Sequence, residues 1–456
     1  MKLGYKTTIL IFGVLLLLVP LFFERIYDDE AIFWNISRSI NDKGLSEISH
    51  LGRMPLAILI VSPLLRLNDS ILVPRIISAL TAIASAILIF EIVKNYSNNQ
   101  AAFISAILFI FSFQTIRFAT RSYLDIYGTF FFLLSFYLIQ KDRRGLAGFS
   151  FALAMLSREL WFALYPFMML YLWKRNKAVR EFIVWSVLPI VVFFAYIHIT
   201  VGIVTYLTYS GFAQSSYYLA GNLQEAPLYL IQSWAEFLIV QIITFIGFVG
   251  WVWNKRNDIL IIILPQFLIV SLIEGFIYNG ALTQYTIGLQ ASMALLAGPG
   301  ILQVWKKYFK TYRLEPLLVS LLILQFLIFS CLATALSFRG ALGIHDFGYW
   351  YDEEVIGLLN QKASNETIAG LHGAFIKNAK DWVWLDRYVD RILEVEPDWY
   401  VIVEPQTVKF KTDPSNIKEV ELYKIGPYIV LHSNPRGHLH ELIEPNEEFS
   451  KWAFRG

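Results

Sequence analysis

The chain has 456 residues, of which 56% are hydrophobic, 16% aromatic and 16% charged, and its mean hydropathy is +0.52. That is too apolar for a soluble protein of this length and points to a polytopic α-helical membrane protein. The formal net charge of +2 carries no message by itself, nothing points to nucleic acid, and the single cysteine, Cys331, excludes an intrachain disulfide.

Lys2 and Lys6 precede a Leu-rich run over residues 7–23. No small-residue cleavage site follows it, only Pro20, bulky side chains and Glu24-Arg25, so it reads as an uncleaved first span crossing outward from a basic N-terminus. Directly behind it stand three adjacent carboxylates, Asp28, Asp29 and Glu30. Crossing the hydrocarbon core takes about 20 apolar residues. Residues 54–65 fall short of that, begin Met54-Pro55 and are bounded by Arg53 and Arg66, so they read as a helix lying at the outer surface. Residues 71–93 return inward to Lys94, 100–118 go out, and 126–140 come back to Lys141, Arg143 and Arg144. Residues 145–156 and 160–173 form two short spans with Ser157-Arg158-Glu159 at the outer turn, and Lys174, Arg175, Lys177 and Arg180 mark the inner side. Residues 182–201 go out to a Tyr/Ser/Gly-rich loop over 202–226; 228–253, 259–277, 282–304 and 317–336 complete the membrane part. The result is about eleven crossings with every basic cluster inside, as the bias of Lys and Arg toward the cytoplasmic side demands. Counting 54–65 as a crossing breaks the alternation by one.

From residue 338 the composition becomes that of a soluble domain. Residues 367–370, 399–403 and 428–432 pattern as strands and 380–393 as a helix, giving a small C-terminal α/β domain on the outer side. The expected division is 1–337 as a membrane domain with an outer loop over 24–70, and 338–456 as an extracytoplasmic domain.

In this topology the outer side collects Asp28, Asp29, Glu30, Arg53, Arg75, Arg117, Arg121, Asp125, Arg158 and Glu159. Ionisable groups at membrane depth are costly unless they are paired or functional. A carboxylate can deprotonate a hydroxyl nucleophile, and arginines bind phosphate in a fork and offset the charge on a departing phosphate. Together they suit a donor whose anionic head stands at the outer leaflet while its tail stays in lipid. The bland reading of each is a hydrated loop charge, an interfacial arginine or, for Asp125 four residues after Arg121, a local ion pair on one helix.

Tyr27-Asp28-Asp29-Glu30, then Arg53-Met54-Pro55-Leu56 before a short apolar helix, then Pro74-Arg75-Ile76-Ile77-Ser78-Ala79-Leu80 follow one another in an order that resembles a known family. It is the dolichyl-phosphate-mannose protein mannosyltransferases and their prokaryotic relatives, the aminoarabinose transferases of lipid A included, with the C-type membrane glycosyltransferase fold. Arg121-Ser122-Tyr123-Leu124-Asp125 looks like the family's second acidic site, Ser157-Arg158-Glu159 followed by Pro166 looks like its outer turn, and Gln284-Tyr285 lies where Arg-Tyr often precedes a late span. The resemblance covers about residues 7–304. It implies an inverting glycosyltransferase that moves a sugar from a polyprenyl- or dolichyl-phosphate donor to a hydroxyl of a protein, glycan or lipid. Asp29 is implied as the base, with Asp125 as a second catalytic carboxylate and Asp28, Glu30 and Glu159 in support. Arg53, Arg75, Arg121 and Arg158 are implied at the donor phosphate, and Gln284 and Tyr285 at sugar or acceptor. Met54 stands for the family's first Pro, Arg53 for its Lys or His, and Gln284 for its late Arg, which removes a cation.

His50, His198 and His345 have no paired ligand spacing, so no zinc site is supported; the acidic run could hold a divalent cation through oxygen ligands. No cofactor is otherwise implied. A transporter or flippase of lipid-linked sugars is the alternative, but transporters place charges at the midplane of repeated halves, and here they gather at one face of a chain without repeats.

Overall fold

The computed structural model describes residues 4–23, 26, 28–45, 54–122, 124–175, 179–200, 202–203, 238–254, 258–272, 286–308, 314, 316–324, 349–376, 379–383, 397–403, 408–410, 420–426, 428–433 and 443–445. The chain divides into two compact units, one made of Met1–Leu21 with Ile36–Ala333, the other of Phe22–Asn35 with Thr334–Gly456. In this division Phe22–Asn35 groups with the C-terminal residues.

In the first unit the Leu-rich run forms α1, Tyr5–Gly13, continues as a π turn over Val14–Leu18 and ends in a 3-10 turn at Pro20–Phe22, where the proline can no longer donate to the helix ladder. The stretch 24–70 contains α2, Asp28–Lys43, and α3, Leu56–Leu65. Helix α2 was not expected within the loop. Its buried positions Glu30, Phe33, Trp34, Ser37 and Ile40 recur every three or four residues, which is the helical period. Helix α3 has 10 residues and so a length of about 15 Å, half the hydrocarbon thickness.

Helix α4, Leu72–Tyr96, runs antiparallel to α1, with Lys6 paired to Glu91 at 2.5 Å. The next expected span, 100–118, is broken into α5, Asn99–Ile110, and α6, Phe113–Thr120, which meet at 58°. Ser112 starts a new helix there, its side chain accepting from Thr115 N–H, as N-caps do. The hairpin of α7, Asp125–Gln140, and α8, Arg144–Ser157, is joined inside the apolar layer by Ser135 Oγ donating to Ala147 O and Ser150 Oγ donating to Phe131 O. Helices α9, Leu160–Lys174, and α10, Val179–Thr200, complete this part.

Thr286–Tyr308 is buried along its first 17 residues. It crosses Leu238–Asn254 where glycines face each other, since a Cβ on Gly300 would lie 1.8 Å from Gly247 O. Small residues let helix backbones approach where lipid supplies no hydrophobic drive. About eleven crossings were expected. Among the described residues four helices are long and apolar enough, Tyr5–Phe22, Leu72–Tyr96, Val179–Thr200 and Thr286–Tyr308, with a fifth if α5 and α6 count as one bent span. Leu56–Leu65, Asp125–Gln140, Arg144–Ser157, Ile242–Val252 and Leu260–Val270 are shorter apolar helices.

In the second unit a five-stranded sheet has the order β2-β1-β3-β6-β5, from β1 (Thr367–Ala369), β2 (Asp381–Val383), β3 (Trp399–Val403), β5 (Val420–Ile425) and β6 (Tyr428–Ser433). A separate pair joins β4 (Val408–Phe410) to β7 (Ile443–Pro445). Strand β1 is parallel to β2 and β3, while β6 is antiparallel to β3 and β5. The strands expected near 367, 399 and 428 are present. The helix expected over 380–393 is corrected at its start: Asp381–Val383 pairs with Thr367–Ala369 as an edge strand, and 384–396 lie outside the described residues. The helix Tyr349–Lys362 puts Val355 and Leu359 against Ile368, Trp399, Val401 and Val430 in the core.

Candidate active site

Of the ionisable residues expected at the outer side, Arg75, Arg121, Asp125, Arg158 and Glu159 stand near helix ends of the first unit. The chain leaves α6 through Ser122, which takes φ +56, and re-enters helix at Asp125, whose carboxylate thus stands in the first turn of α7. Negative charge is favoured there by the helix dipole. The chain likewise breaks between α8 and α9, where Arg158 is extended at φ −155, ψ 141 and reaches across to α7. Arg158 Nε donates to Asp125 Oδ1 at 2.8 Å, with Arg158 1% and Asp125 4% exposed. Asp125 Oδ2 has no hydrogen-bond partner among the described residues.

This arrangement corrects two readings. Arg121 and Asp125 do not share a helix, because α6 ends at Thr120 and α7 begins at Asp125, so their four-residue spacing is not a helical turn. Arg158 is not an interfacial arginine with its head in water, because its guanidinium is buried against a carboxylate. Arg121 is buried just past the end of α6, where Arg117 stands in the last turn.

Arg75 is fully buried on α4 and donates through Nη1 to Leu21 O at 3.1 Å, tying the second span to the end of the first. Glu159 accepts from Met54 N–H at 3.2 Å and so fixes the entry to α3 just after Arg53. At the other end of α3, Ser62 Oγ donates to Asn41 Oδ1 at 2.9 Å, Asn41 Nδ2 donates to Ser62 O at 2.7 Å, and Arg66 Nε donates to the same Asn41 oxygen at 3.0 Å. Asn41 was missed in the sequence; the helical period of α2 was the signal that could have found it.

The opposite end of the same helices holds the basic clusters. Asn95 at the end of α4 donates to Gln140 at the end of α7 at 2.8 Å, and Asp258 pairs with Lys174 and Arg175 at 3.0 and 3.6 Å. Those two cations, Lys174 first, hold the Asp258 carboxyl below its ordinary range.

In the second unit Asp28, Asp29 and Glu30 open α2, and Glu30 is buried. The side chains of Asp28 and Asp29, and Arg53, Gln284 and Tyr285 altogether, lie outside the described residues. No group of three or more His, Cys, Asp or Glu among the described residues is placed to hold a metal ion.

Residues 52–201 match the model of the family described as dolichyl-phosphate-mannose-protein mannosyltransferase. No curated protein sequence matches the chain. Among solved structures, ArnT from Cupriavidus metallidurans bound to undecaprenyl phosphate is similar at a TM-score of 0.64 and 11% identity, over 94% of this chain and 97% of that one. The same protein in the apo state matches at 0.59 and 11% identity, over 94% and 96%. An oligosaccharyltransferase from Archaeoglobus fulgidus, tethered to an acceptor peptide, matches at 0.51 and 11% identity, over 87% of this chain and 68% of that one. The matched region contains the arginines and acids of the first unit's site, and the likeness of fold runs almost the length of the chain: the fold is like that of ArnT, and residues 52–201 carry the similarity to the protein mannosyltransferase family.

Proposed function

We propose that the protein is an inverting glycosyltransferase that takes a sugar from a polyprenyl-phosphate donor and delivers it to a hydroxyl acceptor on the extracytoplasmic side of a cell membrane. The observation that carries this reading is the buried Asp125–Arg158 pair, made at two helix breaks in the segment that matches the mannosyltransferase model. A buried carboxylate with one oxygen engaged and the other unengaged among the described residues is expensive unless something uses it. That the Lys and Arg clusters lie at the far end of the same helices supports an extracytoplasmic site.

The donor in this reading has the chemistry of the undecaprenyl phosphate in the ArnT structure. Arg158 Nε donates to Asp125, and a guanidinium has five N–H donors in a planar fork. Arg158, with Arg121, Arg53 and Arg75, supplies cationic charge for the phosphate. Asp29 takes the proton of the acceptor hydroxyl as that oxygen bonds to the anomeric carbon. The carbon–oxygen bond to phosphate breaks, its electron pair leaves on polyprenyl phosphate, and attack opposite the leaving group inverts the centre. Asp125 holds Arg158 in place and orients the acceptor or a divalent cation. Glu159 keeps Arg53 in register by fixing Met54.

The test is to incubate the purified protein with a panel of polyprenyl-phosphate sugars and assay free polyprenyl phosphate. Wild type should release it from at least one member. Asp29→Asn keeps the shape and removes the base, so turnover should fall by about 100-fold to 10,000-fold with donor binding near wild type. Retention of more than about a tenth of the activity would remove Asp29 as the base.

A further inference from the structure

The C-terminal unit grips the start of the acidic helix at two places that bracket the three carboxylates. Before them, Ile26 N–H donates to Asp352 Oδ2 at 3.0 Å. After them, Trp34 stacks on Phe375 with ring centroids 4.5 Å apart. Asp352 is fully buried, and its other oxygen is engaged by His372 Nε2 at 2.8 Å and by the Tyr428 hydroxyl. The His372 and Tyr428 rings meet edge to face at 4.7 Å. Asp352 comes from the first turn of Tyr349–Lys362, Tyr428 from β6, and both His372 and Phe375 from the single 3-10 turn Leu371–Phe375.

A buried carboxylate costs free energy unless fully hydrogen-bonded, and a fully satisfied network fixes one geometry. Here the network's outward contact is the backbone of Ile26, two residues before Asp28 and three before Asp29. An N–H anchored there and an indole anchored at Trp34 leave the intervening turn little freedom. We propose that Asp352 is a positioning residue for the glycosyl transfer, and that with His372, Tyr428 and the Trp34–Phe375 stack it makes the C-terminal domain a clamp that sets where the Asp28–Glu30 turn stands. This rests on the reading of Asp29 as the base.

The test compares full-length wild type, Asp352→Ala, Asp352→Asn and Tyr428→Phe in lipid nanodiscs. It uses hydrogen exchange of the amides over 26–35 and the release of polyprenyl phosphate from the panel donor that wild type turns over. Asp352→Ala should raise exchange over 26–35 at least about tenfold, leave exchange in Leu72–Tyr96 unchanged, and lower kcat by about 100-fold, the scale of an ångström's misplacement of a catalytic group. The donor KM should move less than about threefold, because the phosphate cations are elsewhere. Asp352→Asn keeps an acceptor for Ile26 N–H and should restore most of both. Tyr428→Phe deletes one hydroxyl and should give intermediate values, so that the clamp is testable even if Asp352→Ala is poorly inserted. Unchanged exchange over 26–35 in both Asp352→Ala and Tyr428→Phe would overturn the clamp, and raised exchange with unchanged kcat would overturn its positioning role. A fully active Asp29→Asn would sink the base assignment alone, since the exchange data do not depend on which carboxylate reacts.

Discussion

Asp125 and Arg158 are the residues at which stability and chemistry can be separated. Removing one partner strands a buried charge and costs about 3 to 5 kcal/mol, whereas replacing both with apolar groups of similar volume is often neutral. Arg158→Met should therefore lower thermal stability in detergent far more than Asp125→Leu combined with Arg158→Met, while both variants lose turnover. Equal stability losses would mean that the pair is solvated. Glu159 divides in the same way, because what it holds is the Met54 N–H. Glu159→Gln retains an acceptor oxygen and should keep turnover, and Glu159→Ala should reduce it, as read by donor consumption.

At the scale of elements, the packing of Thr286–Tyr308 on Leu238–Asn254 depends on glycine at the crossing. Gly300→Val cannot be accommodated without moving a backbone carbonyl and should lower the melting temperature sharply. Gly357→Ala, where a Cβ meets nothing within 4 Å, should not. In the C-terminal unit, Lys362 and the Tyr423 hydroxyl both hydrogen-bond Glu421, fastening the long helix to the edge strand β5. These contacts, the Tyr423 hydroxyl first, hold the Glu421 carboxyl below its ordinary range. A depressed carboxyl contributes stability above its unfolded value and loses it as pH falls through its folded one. The deficit of Glu421→Gln should thus be present at neutral pH and vanish in acid, in melting curves across that range, and it should be small because the site is exposed.

For the whole molecule the proposed orientation makes a labelling prediction. In a Cys331→Ala background, a cysteine at Ser364 should react with an impermeant reagent from outside, and one at Asn98 only after permeabilisation. Outside labelling at Asn98 would mean that residues 54–65 cross the membrane and would reverse the orientation proposed for the site.

Composition, hydropathy and a series of short motifs were enough to read a multi-span chain and to single out acids and arginines that had to be explained, because burial in lipid and charge bias act on local runs of sequence. The period of α2 was equally present and went unread within a stretch taken as loop. Other features could not be read locally at all. That Asp125 pairs with Arg158 across 33 positions and not with Arg121 four residues away follows from helix breaks at Ser122 and Arg158. That Phe22–Asn35 belongs with residues beyond Thr334 follows from a carboxylate, Asp352, that meets Ile26 across 326 positions. Hydrogen bonds and packing depend on proximity in space, which folding alone creates, so the sequence by itself determined what kind of chain this is and which charges had to be explained, and the tertiary structure decided which of them meet.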